Sequence, residues 1–537
     1  MKKTRGLALL MSVVLAGGIL SGCGEKKETE VTLANTEFPL EQTVTYDVVM
    51  QRYNISKPYT EYEEWNKYFE DKSNVKINWV DWGTDETYNQ KLSLAFASEN
   101  LPDAVYGAFC IGMDGLARYG EAGLIIPLED MIPKYMPRLS EIAEKNPEVL
   151  EDMKTPDGHI YGIPSYDPNS LTHLQETILY NREWLEKLNM EIPTTTEEFY
   201  NYLKAIKEAG DLNGNGEADE IPFTFRLGSA GALDHQNGIC SFVGFTGRTL
   251  PQNSFTVENG KTVYSPATEE FKEAVIYLNK LYSEGLIDKE VFTMDATTYN
   301  GRIKNKEKNI GVCIAPNDHT LNSVLGDDAF VYGPPLKGEN GKEPVWFRRV
   351  TPSNFRTTFF ITNKAKNPEI LLKWLDLHFD RDMSLQNNKG KMDVTFRKVD
   401  DVKIELLTKP DGTNHTIEEK AKDWPWGAAF NFATGDYEIT NKSETTLSAE
   451  RALAVYEPYL MDKEEVFYQN VFTAEEGEIR NRTIGEVEPY MIQSLAKWIT
   501  KGGIEAEWDE YLKQLDILGL KEWTEVMQAA YDRSAGK

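Results

Sequence analysis

Apolar and polar residues follow two different periods along this chain, and the two periods alternate from its beginning. The segments 43–50 and 75–80 are rich in β-branched and aromatic residues and predict strands, and the apolar run 104–106 predicts a third. Between them, the segments 62–69 and 88–96 repeat apolar residues at helical spacing. Strand, helix, strand, helix, strand is the order typical of a parallel sheet covered by helices, so the pattern predicts an α/β fold.

Two later helices carry clear boundary signals. Thr195 and Glu198 stand at the spacing of a capping box, and Gly210 follows the last apolar positions of that helix. A further helix is predicted over residues 269–283, with Gly285 beyond its end.

The beginning of the chain has the pattern of an export and anchoring segment. A short basic start precedes the uncharged run 7–20, which is too short to span a bilayer unaided. The sequence Leu-Ser-Gly-Cys that ends at Cys23 resembles the lipobox of bacterial lipoproteins, in which the cysteine is linked to diacylglycerol. We predict a lipoprotein signal peptide over residues 1–22, lipidation of Cys23 and a flexible tether over residues 23–42. The alternative is a plain secretory cleavage site.

Length and charge narrow the function. At 537 residues the chain exceeds what one hydrophobic core organises, so we expect two domains or one discontinuous pair. Lys and Arg total 58 against 86 Asp and Glu, and the resulting charge of -28 repels the phosphates of nucleic acid. A mean hydropathy of -0.49 excludes a polytopic membrane protein. We therefore expect no nucleic-acid partner and no bundle of spanning helices.

Cysteine usage supports neither a disulfide framework nor a zinc site. With Cys23 assigned to lipid, Cys110, Cys240 and Cys313 remain, an odd number at wide spacing that allows at most one bridge. The chain contains no C-x-x-C pair. We expect these three cysteines to be small buried apolar residues.

Six stretches of the sequence carry a resemblance to a known family, and they are residues 97–106, 123–130, 157–164, 180–188, 281–288 and 529–533. Their order and spacing resemble the extracellular solute-binding proteins of carbohydrate ABC importers, family 1. The likeness is to the long lipoprotein branch, which includes proteins for oligosaccharides and alginate. Residues 386–390 depart from the family pattern, because many relatives carry a Tyr-Gly pair followed by Glu-Gly there.

The resemblance implies a two-lobed α/β fold of the periplasmic-binding-protein-like type II class, with discontinuous domains, a ligand cleft and a hinge. The expected first lobe comprises residues 43–165 and 317–378, and the second comprises residues 166–316 and 379–537. It further implies a monomer that stands outside the cytoplasmic membrane of a bacterium, which we expect to be Gram-positive. Its partners would be an oligosaccharide and the permease subunits of an ABC transporter, with the membrane reached through the N-terminal lipid alone.

A loop after the capped helix has the chemistry of a cation site. Oxygen-bearing side chains occupy alternate positions and Gly216 supplies a turn, as in the first half of an EF-hand loop. The second half departs from that motif, because Pro222 stands where the bidentate glutamate of an EF-hand belongs. This second half is similar instead to the calcium loop of alginate-binding relatives. We predict a structural Ca²⁺, with a bare Asx/Gly turn as the alternative. The predicted ligands are Asp211, Asn213, Asn215, the carbonyl of Glu217, Asp219 and Glu220.

A sugar site combines aromatic rings with carboxylate, amide and guanidinium groups, because sugars present both C–H faces and hydroxyls. We place the candidates on loops where the two lobes are expected to face each other. They are Trp82, Phe109, Tyr166, Asp167, Asn317, Asp318, Trp346, Arg348 with its neighbour Arg349, Trp424 and Trp426. For each aromatic residue the alternative is packing in a core.

Other functions have less support in the sequence. An exported polysaccharide-degrading enzyme would also be acidic and rich in aromatic residues, but abundant carboxylates do not identify a catalytic pair. The chain contains neither H-E-x-x-H nor G-x-S-x-G, and no two of its six His have zinc-ligand spacing. We therefore predict a protein that is not an enzyme, and we keep a binding protein for a peptide or another non-sugar solute as the alternative.

Overall fold

The computed structural model describes residues 36–52, 56–166, 174, 176–229, 232–233, 254–339, 341–346, 353–425, 437–462, 465 and 472–534. The strands in these ranges are β1 (Val44–Gln51), β2 (Val75–Asp81), β3 (Ala104–Ile111), β4 (Ile163–Tyr166), β5 (Thr177–Asn181), β6 (Ile221–Thr224), β7 (Gly228–Ser229), β8 (Ala232–Leu233), β9 (Phe255–Glu258), β10 (Lys261–Tyr264), β11 (Ile310–Ala315), β12 (Phe330–Gly333), β13 (Ser353–Ile361), β14 (Phe396–Lys398), β15 (Lys403–Leu406) and β16 (Glu438–Ile439).

The helices in the same ranges are α1 (Glu63–Ser73), α2 (Asp85–Ser98), α3 (Met113–Glu121), α4 (Ile132–Tyr135), α5 (Pro137–Lys145), α6 (Glu148–Glu151), α7 (Arg182–Leu188), α8 (Thr196–Ala209), α9 (Glu269–Ser283), α10 (Ala296–Ile303), α11 (His319–Leu325), α12 (Pro368–Asp376), α13 (Arg381–Lys389), α14 (Ile417–Asp423), α15 (Glu444–Tyr456), α16 (Ala474–Lys501), α17 (Ile504–Ile517) and α18 (Leu520–Ser534).

The first sheet has the strand order β2-β1-β3-β13-β4. Strand β1 pairs in parallel with both β2 and β3, and β13 joins antiparallel between β3 and β4. This arrangement confirms the alternation of strands and helices that the first segments of the sequence predict. We call this sheet, with the residues that pack on it, the first lobe.

The second sheet has the strand order β12-β5-β11-β6. Strand β11 lies inside the sheet and is buried along its whole length, which explains why residues 310–315 form a nearly continuous apolar run. The helices α8, α9, α16, α17 and α18 contribute apolar residues to the same core. This sheet and its helices form the second lobe.

The two cores divide the chain at different points from those expected. Residues 317–346 pack with the second lobe, because β12 pairs with β5 and Trp346 lies in the second core. The return to the first lobe therefore comes at β13. Strand β11 leads directly into α11, whose apolar residues pack back on their own lobe. Residues 379–425 extend the first lobe, since Met383 and Trp424 lie in its core, and α15 returns the chain to the second.

Local signals in the sequence correspond closely to the structure. The hydroxyl of Thr195 accepts the N–H of Glu198 at 3.1 Å, and Glu198 accepts the N–H of Thr195 at 3.2 Å, so the capping box is confirmed. Gly285 has a φ of 67° beyond α9. Cys110 and Cys313 are free and buried, and Cys240 lies outside the described residues.

Candidate ligand-binding site

The two sheets are joined at comparable edges. Strand β4 runs parallel to β3, because both are antiparallel to β13, so the chain leaves the first sheet at the carboxyl ends of β1, β2 and β3. It enters the second sheet at Thr177 of β5, which pairs with Ala315 at the carboxyl end of β11. Ligands of open α/β sheets bind outside the carboxyl ends of the strands. We therefore place the expected ligand cleft, which we call the crevice, between these two edges.

The first edge carries an aromatic ring among polar groups. Phe109 is 48% exposed, and its N–H donates to the side-chain oxygen of Gln51 at 2.9 Å. The pairing of β3 with β13 shifts register between Thr357 and Phe359, and such irregularities redirect side chains at sheet edges. The guanidinium of Arg52 lies 3.2 Å from Asp81 at the end of β2. Ring, guanidinium, carboxylate and amide together provide the mixture that a saccharide requires.

Two further candidates belong to this edge. Trp82 directly follows β2, lies half-buried against the first core, and its ring centroid is 6.3 Å from that of Tyr88. Tyr166 is the last residue of β4, which places its backbone at the edge. The side chain of Tyr166 and the whole of Asp167 lie outside the described residues.

At the second edge, Asn317 and Asp318 bind groups of their own lobe. The side-chain oxygen of Asn317 accepts the N–H of Thr320 at 3.0 Å and so caps the start of α11. Asp318 is 3% exposed, and its two carboxylate oxygens each accept from the guanidinium of Arg451 at 3.0 Å. The hydroxyl of Tyr332 donates to the same carboxylate at 3.1 Å. The contacts favour a structural role for Asp318, which connects the end of β11 to α15, over the expected direct contact with sugar.

Two of the tryptophan candidates lie inside the cores. Trp346 is 1% exposed, and its indole N–H donates to the carbonyl of Glu176 at 3.2 Å. Trp424 is 4% exposed, and its indole N–H donates to the side-chain oxygen of Asn387 at 3.0 Å. A ring that is covered on both faces has no surface for a sugar to stack on, so burial favours the alternative, core packing. Arg348, Arg349 and Trp426 lie outside the described residues.

In the part of the chain that the structure describes, an ion pair between Asp114 and Arg480 joins the two lobes. Asp114 lies in the first turn of α3, directly after β3, and its carboxylate is 3.8 Å from the guanidinium of Arg480 on α16. Burial raises the pKa of Asp114 and of Glu488, and Arg480 opposes the rise in both. The ring centroid of Phe472 lies 5.3 Å from the Arg480 guanidinium. Asp114 and Arg480 thus link the two lobes beside the crevice.

Several of these groups are absent from the candidates drawn from the sequence. Arg52 and Asp81 could have been found by the reasoning that selects Trp82, since both stand at the carboxyl end of a predicted strand. Asp114 follows β3 in the same way. Arg451 and Arg480 lie on helices far along the chain, and the sequence carries no signal for their positions.

The predicted cation loop folds as a compact ring of polar groups. The carboxylate of Asp211 accepts the backbone N–H groups of Gly214 at 2.7 Å, Asn215 at 3.0 Å and Gly216 at 2.9 Å. The carboxylate of Asp219 faces the amide groups of Asn213 and Asn215 at 3.4 and 3.2 Å. The ring therefore brings together the side chains that the sequence pattern selects.

The loop also leaves an acceptor atom unpaired, which allows its fit to a cation to be tested. One carboxylate oxygen of Glu220 accepts the N–H of Asn213 at 3.3 Å, while the other is buried without a hydrogen-bond partner. An ionised carboxylate can only accept, so a buried oxygen of this kind is suited to a cation. Within the described ranges, no three or more His, Cys, Asp and Glu side chains are grouped to hold a metal ion. Amide and backbone oxygens would therefore have to complete the shell.

Residues 55–377 match the sequence profile of a family described as bacterial extracellular solute-binding protein. The chain belongs to this family. The match includes every strand of the second sheet and every strand of the first except β1, and it confirms the resemblance and the two-lobed α/β fold that the resemblance implies.

Relatives of this solute-binding protein cover nearly its whole length. FusA of Streptococcus pneumoniae, a fructooligosaccharide ABC transporter substrate-binding protein, is 29% identical over 98% of this chain and 97% of its own. A solved structure of a FusA EF-hand mutant in complex with fructo-nystose superposes with a TM-score of 0.74, at 26% identity over 92% of this chain and 100% of that one. The polygalacturonan/rhamnogalacturonan-binding protein YtcQ of Bacillus subtilis is 24% identical over 94% of this chain and 98% of its own.

The described part of this solute-binding protein contains eighteen α-helices, and their length and hydropathy bear on membrane insertion. None of its helices there is both long enough and apolar enough to cross a bilayer. Cys23 and the predicted leader lie outside the described residues.

Proposed function

We propose that the protein is the substrate-binding component of an ABC importer, that it captures an oligosaccharide between its two lobes, and that it delivers this ligand unaltered to a membrane permease. A ligand that touches both lobes stabilises the closed form by its difference in affinity for the two states. The permease would then recognise that closed form.

The observation that carries the proposal is the exposed ring of Phe109, which shares the carboxyl edge of the first sheet with Gln51, Arg52 and Asp81. Similarity to FusA over nearly the whole of both chains supports a saccharide as the ligand class. Because the chain is also similar to YtcQ, a polygalacturonan/rhamnogalacturonan-binding protein, both neutral and uronic-acid oligosaccharides are candidate ligands. The charge of -28 does not decide between them, because local guanidinium groups act at shorter range.

A thermal-shift screen tests the ligand class. The protein is heated with fructooligosaccharides, other neutral oligosaccharides and uronic-acid oligosaccharides, since any ligand that binds the folded form raises its melting temperature. Phe109→Ala should abolish the shift caused by the best ligand. Leu94→Ala, which removes another exposed apolar side chain of the first lobe, should leave it unchanged. Release of reducing ends during incubation would instead indicate a polysaccharide-degrading enzyme.

We further propose that the loop from Asp211 to Glu220 binds Ca²⁺ in a structural role. Support comes from the ring of carboxylate and amide groups, from the unpaired oxygen of Glu220 and from the EF-hand named in the FusA structure. When bound, Ca²⁺ would offset the negative charge of the loop and hold the end of α8 to the start of β6. Titration calorimetry with Ca²⁺ should show saturable binding that Asp211→Ala removes. Absence of heat in the wild type would contradict the proposal.

Anchoring at the outer face of the cytoplasmic membrane through Cys23 completes the proposed function. The basic start and the uncharged run 7–20, followed by the cysteine that ends the Leu-Ser-Gly-Cys sequence, support this anchoring. In the producing bacterium the wild type should partition with membranes, whereas Cys23→Ser should be released in soluble form. Equal partitioning of both would exclude the lipid anchor.

A further inference from the structure

We propose that Asn309, which lies 89 residues beyond the end of the cation loop, is an additional ligand of the Ca²⁺ and fixes the ion to the second sheet. This inference rests on the proposed calcium site. It adds a residue that the loop motif does not contain.

Three amide groups surround the carboxylate of Asp219. Asn213 and Asn215 approach one carboxylate oxygen at 3.4 and 3.2 Å, and Asn309 approaches the other at 3.2 Å. The loop register already assigns the first two asparagines to the ion. Asn309 meets the other oxygen of the same carboxylate, so the geometry places it next to that set.

The hydrogen bonding of the Asn309 amide is consistent with a role as a cation ligand. Its nitrogen faces Asp219, whereas its oxygen is buried without a hydrogen-bond partner. Burying an unpaired acceptor is costly, and a half-turn about the last side-chain bond exchanges the oxygen and the nitrogen. After that half-turn the amide oxygen faces the carboxylate, and two oxygens that face each other are stabilised by a cation between them. The unpaired oxygen of Glu220 in the same loop has the same requirement.

The position of Asn309 in the fold gives the contact a consequence. Its carbonyl accepts the N–H of Ile221 at 2.9 Å, and the next residue, Ile310, pairs with Ile221 at the start of β6 and β11. The side chain of Asn181 on β5 donates to the carbonyl of Ile310 at 3.1 Å. An ion held by Asn309 would therefore lock the register of β6 on β11, at the end of the second sheet that lies away from the crevice.

Titration calorimetry of the full chain with Ca²⁺ tests the inference through four proteins: the wild type, Asn309→Ala, Asn309→Asp and Asn305→Ala. Asn309→Ala should weaken Ca²⁺ affinity by about tenfold or more, because a ligand is lost. Asn309→Asp keeps an oxygen and should bind at least as tightly as the wild type. Asn305→Ala is the matched control, since the oxygen of Asn305 accepts the N–H of Glu307 in the same turn and should leave affinity unchanged.

The outcomes separate the inference from the calcium proposal beneath it. If the wild type binds Ca²⁺ and Asn309→Ala binds equally well, Asn309 is not a ligand. If Asn309→Asp loses as much affinity as Asn309→Ala, the amide acts only as a donor to Asp219, and the inference is again overturned. If the wild type itself binds no Ca²⁺, both proposals fail. Melting temperatures in EGTA report any loss of folding, and Asn309→Asp decides the matter even where Asn309→Ala is unstable.

Discussion

The core of the first lobe contains a buried imidazole, whereas the second lobe has an acidic loop, suited to a cation, next to its sheet. His378 is 0% exposed, and its ring stacks on Phe69 with centroids 4.0 Å apart. In the second lobe, Asp219 and Glu220 lie beside the start of β6, among amide groups and backbone N–H groups. The two lobes share an α/β architecture, yet we expect the first to respond to protons and the second, if the proposed Ca²⁺ binds there, to respond to loss of the metal.

Removal of Ca²⁺ should give the largest difference between the lobes. A ligand at about a hundredfold excess over its Kd stabilises the protein by about 2.7 kcal/mol, and only the lobe that binds it gains directly. Addition of EGTA should therefore increase hydrogen exchange in β6 and β11 of the second lobe and leave β1 and β3 of the first unchanged. Asp211→Ala should show the fast exchange with or without EGTA. Equal loss of protection in both sheets would mean that the ion does not act on one lobe.

Acid should destabilise the first lobe by a slightly smaller amount. Burial holds the pKa of His378 well below its ordinary value, so the folded state stays neutral where the unfolded chain takes up a proton. Its contribution to stability is complete above about pH 6.5 and is lost as the pH falls, at about 1.4 kcal/mol per unit. Between pH 7.5 and pH 5.0 the contribution of His378 to the stability of the first lobe should fall by about 2 kcal/mol. Hydrogen exchange of β1 and β3 at the two pH values measures this loss.

The variant His378→Phe isolates that contribution from others in the same lobe. His159 acts in the opposite direction, because its hydrogen bond to Glu129 raises its pKa and protonation there favours the folded state. The variant loses the contact between the imidazole and the hydroxyl of Tyr106, which are 3.3 Å apart, at every pH. It should also flatten the acid dependence of the first lobe. An unchanged pH profile would show that another group causes the sensitivity.

The same contrast shows how far the sequence determines the structure. Local patterns were sufficient for β1, β2 and β3, for the capped start of α8 and for the side chains of the cation loop, because neighbouring residues decide each of them. The boundary at residue 317 was misplaced, because whether α11 packs on its own lobe or on the other depends on contacts distant in sequence. The burial of Trp346 and Trp424 has the same cause. An indole beside glycine and proline has one sequence pattern whether it lines a cleft or fills a core.

Capping boxes offer a smaller test, since the second lobe has them on α8 and α16 and the extension of the first lobe has one on α14. Thr195 caps α8 in the second lobe, and Thr416 caps α14 in the extension of the first. Either threonine changed to alanine should cost about 1 kcal/mol, because a side-chain acceptor for an unpaired N–H is lost. Thr195→Ala should increase exchange only in the second lobe and Thr416→Ala only in the first. Spread of either effect to both lobes would show that the lobes unfold as one unit.

The ion pair between Asp114 and Arg480 tests how the two lobes act together, and its expected effect is the smallest. We expect Arg480→Gln to weaken binding of the best ligand from the thermal-shift screen by about two- to fivefold. This is the change in affinity expected when a partly exposed ion pair between the lobes is lost. Arg482→Gln is the matched control, because it removes the same charge from the same helix but breaks a 2.6 Å contact with Glu522 inside the second lobe. Exchange of the two partners, Asp114→Arg with Arg480→Asp, should recover affinity if the contact itself matters. If that exchange fails, or if Arg482→Gln loses as much affinity as Arg480→Gln, the effect is due to net charge. The ligand and the crossing segments would then join the two lobes without a contribution from this ion pair.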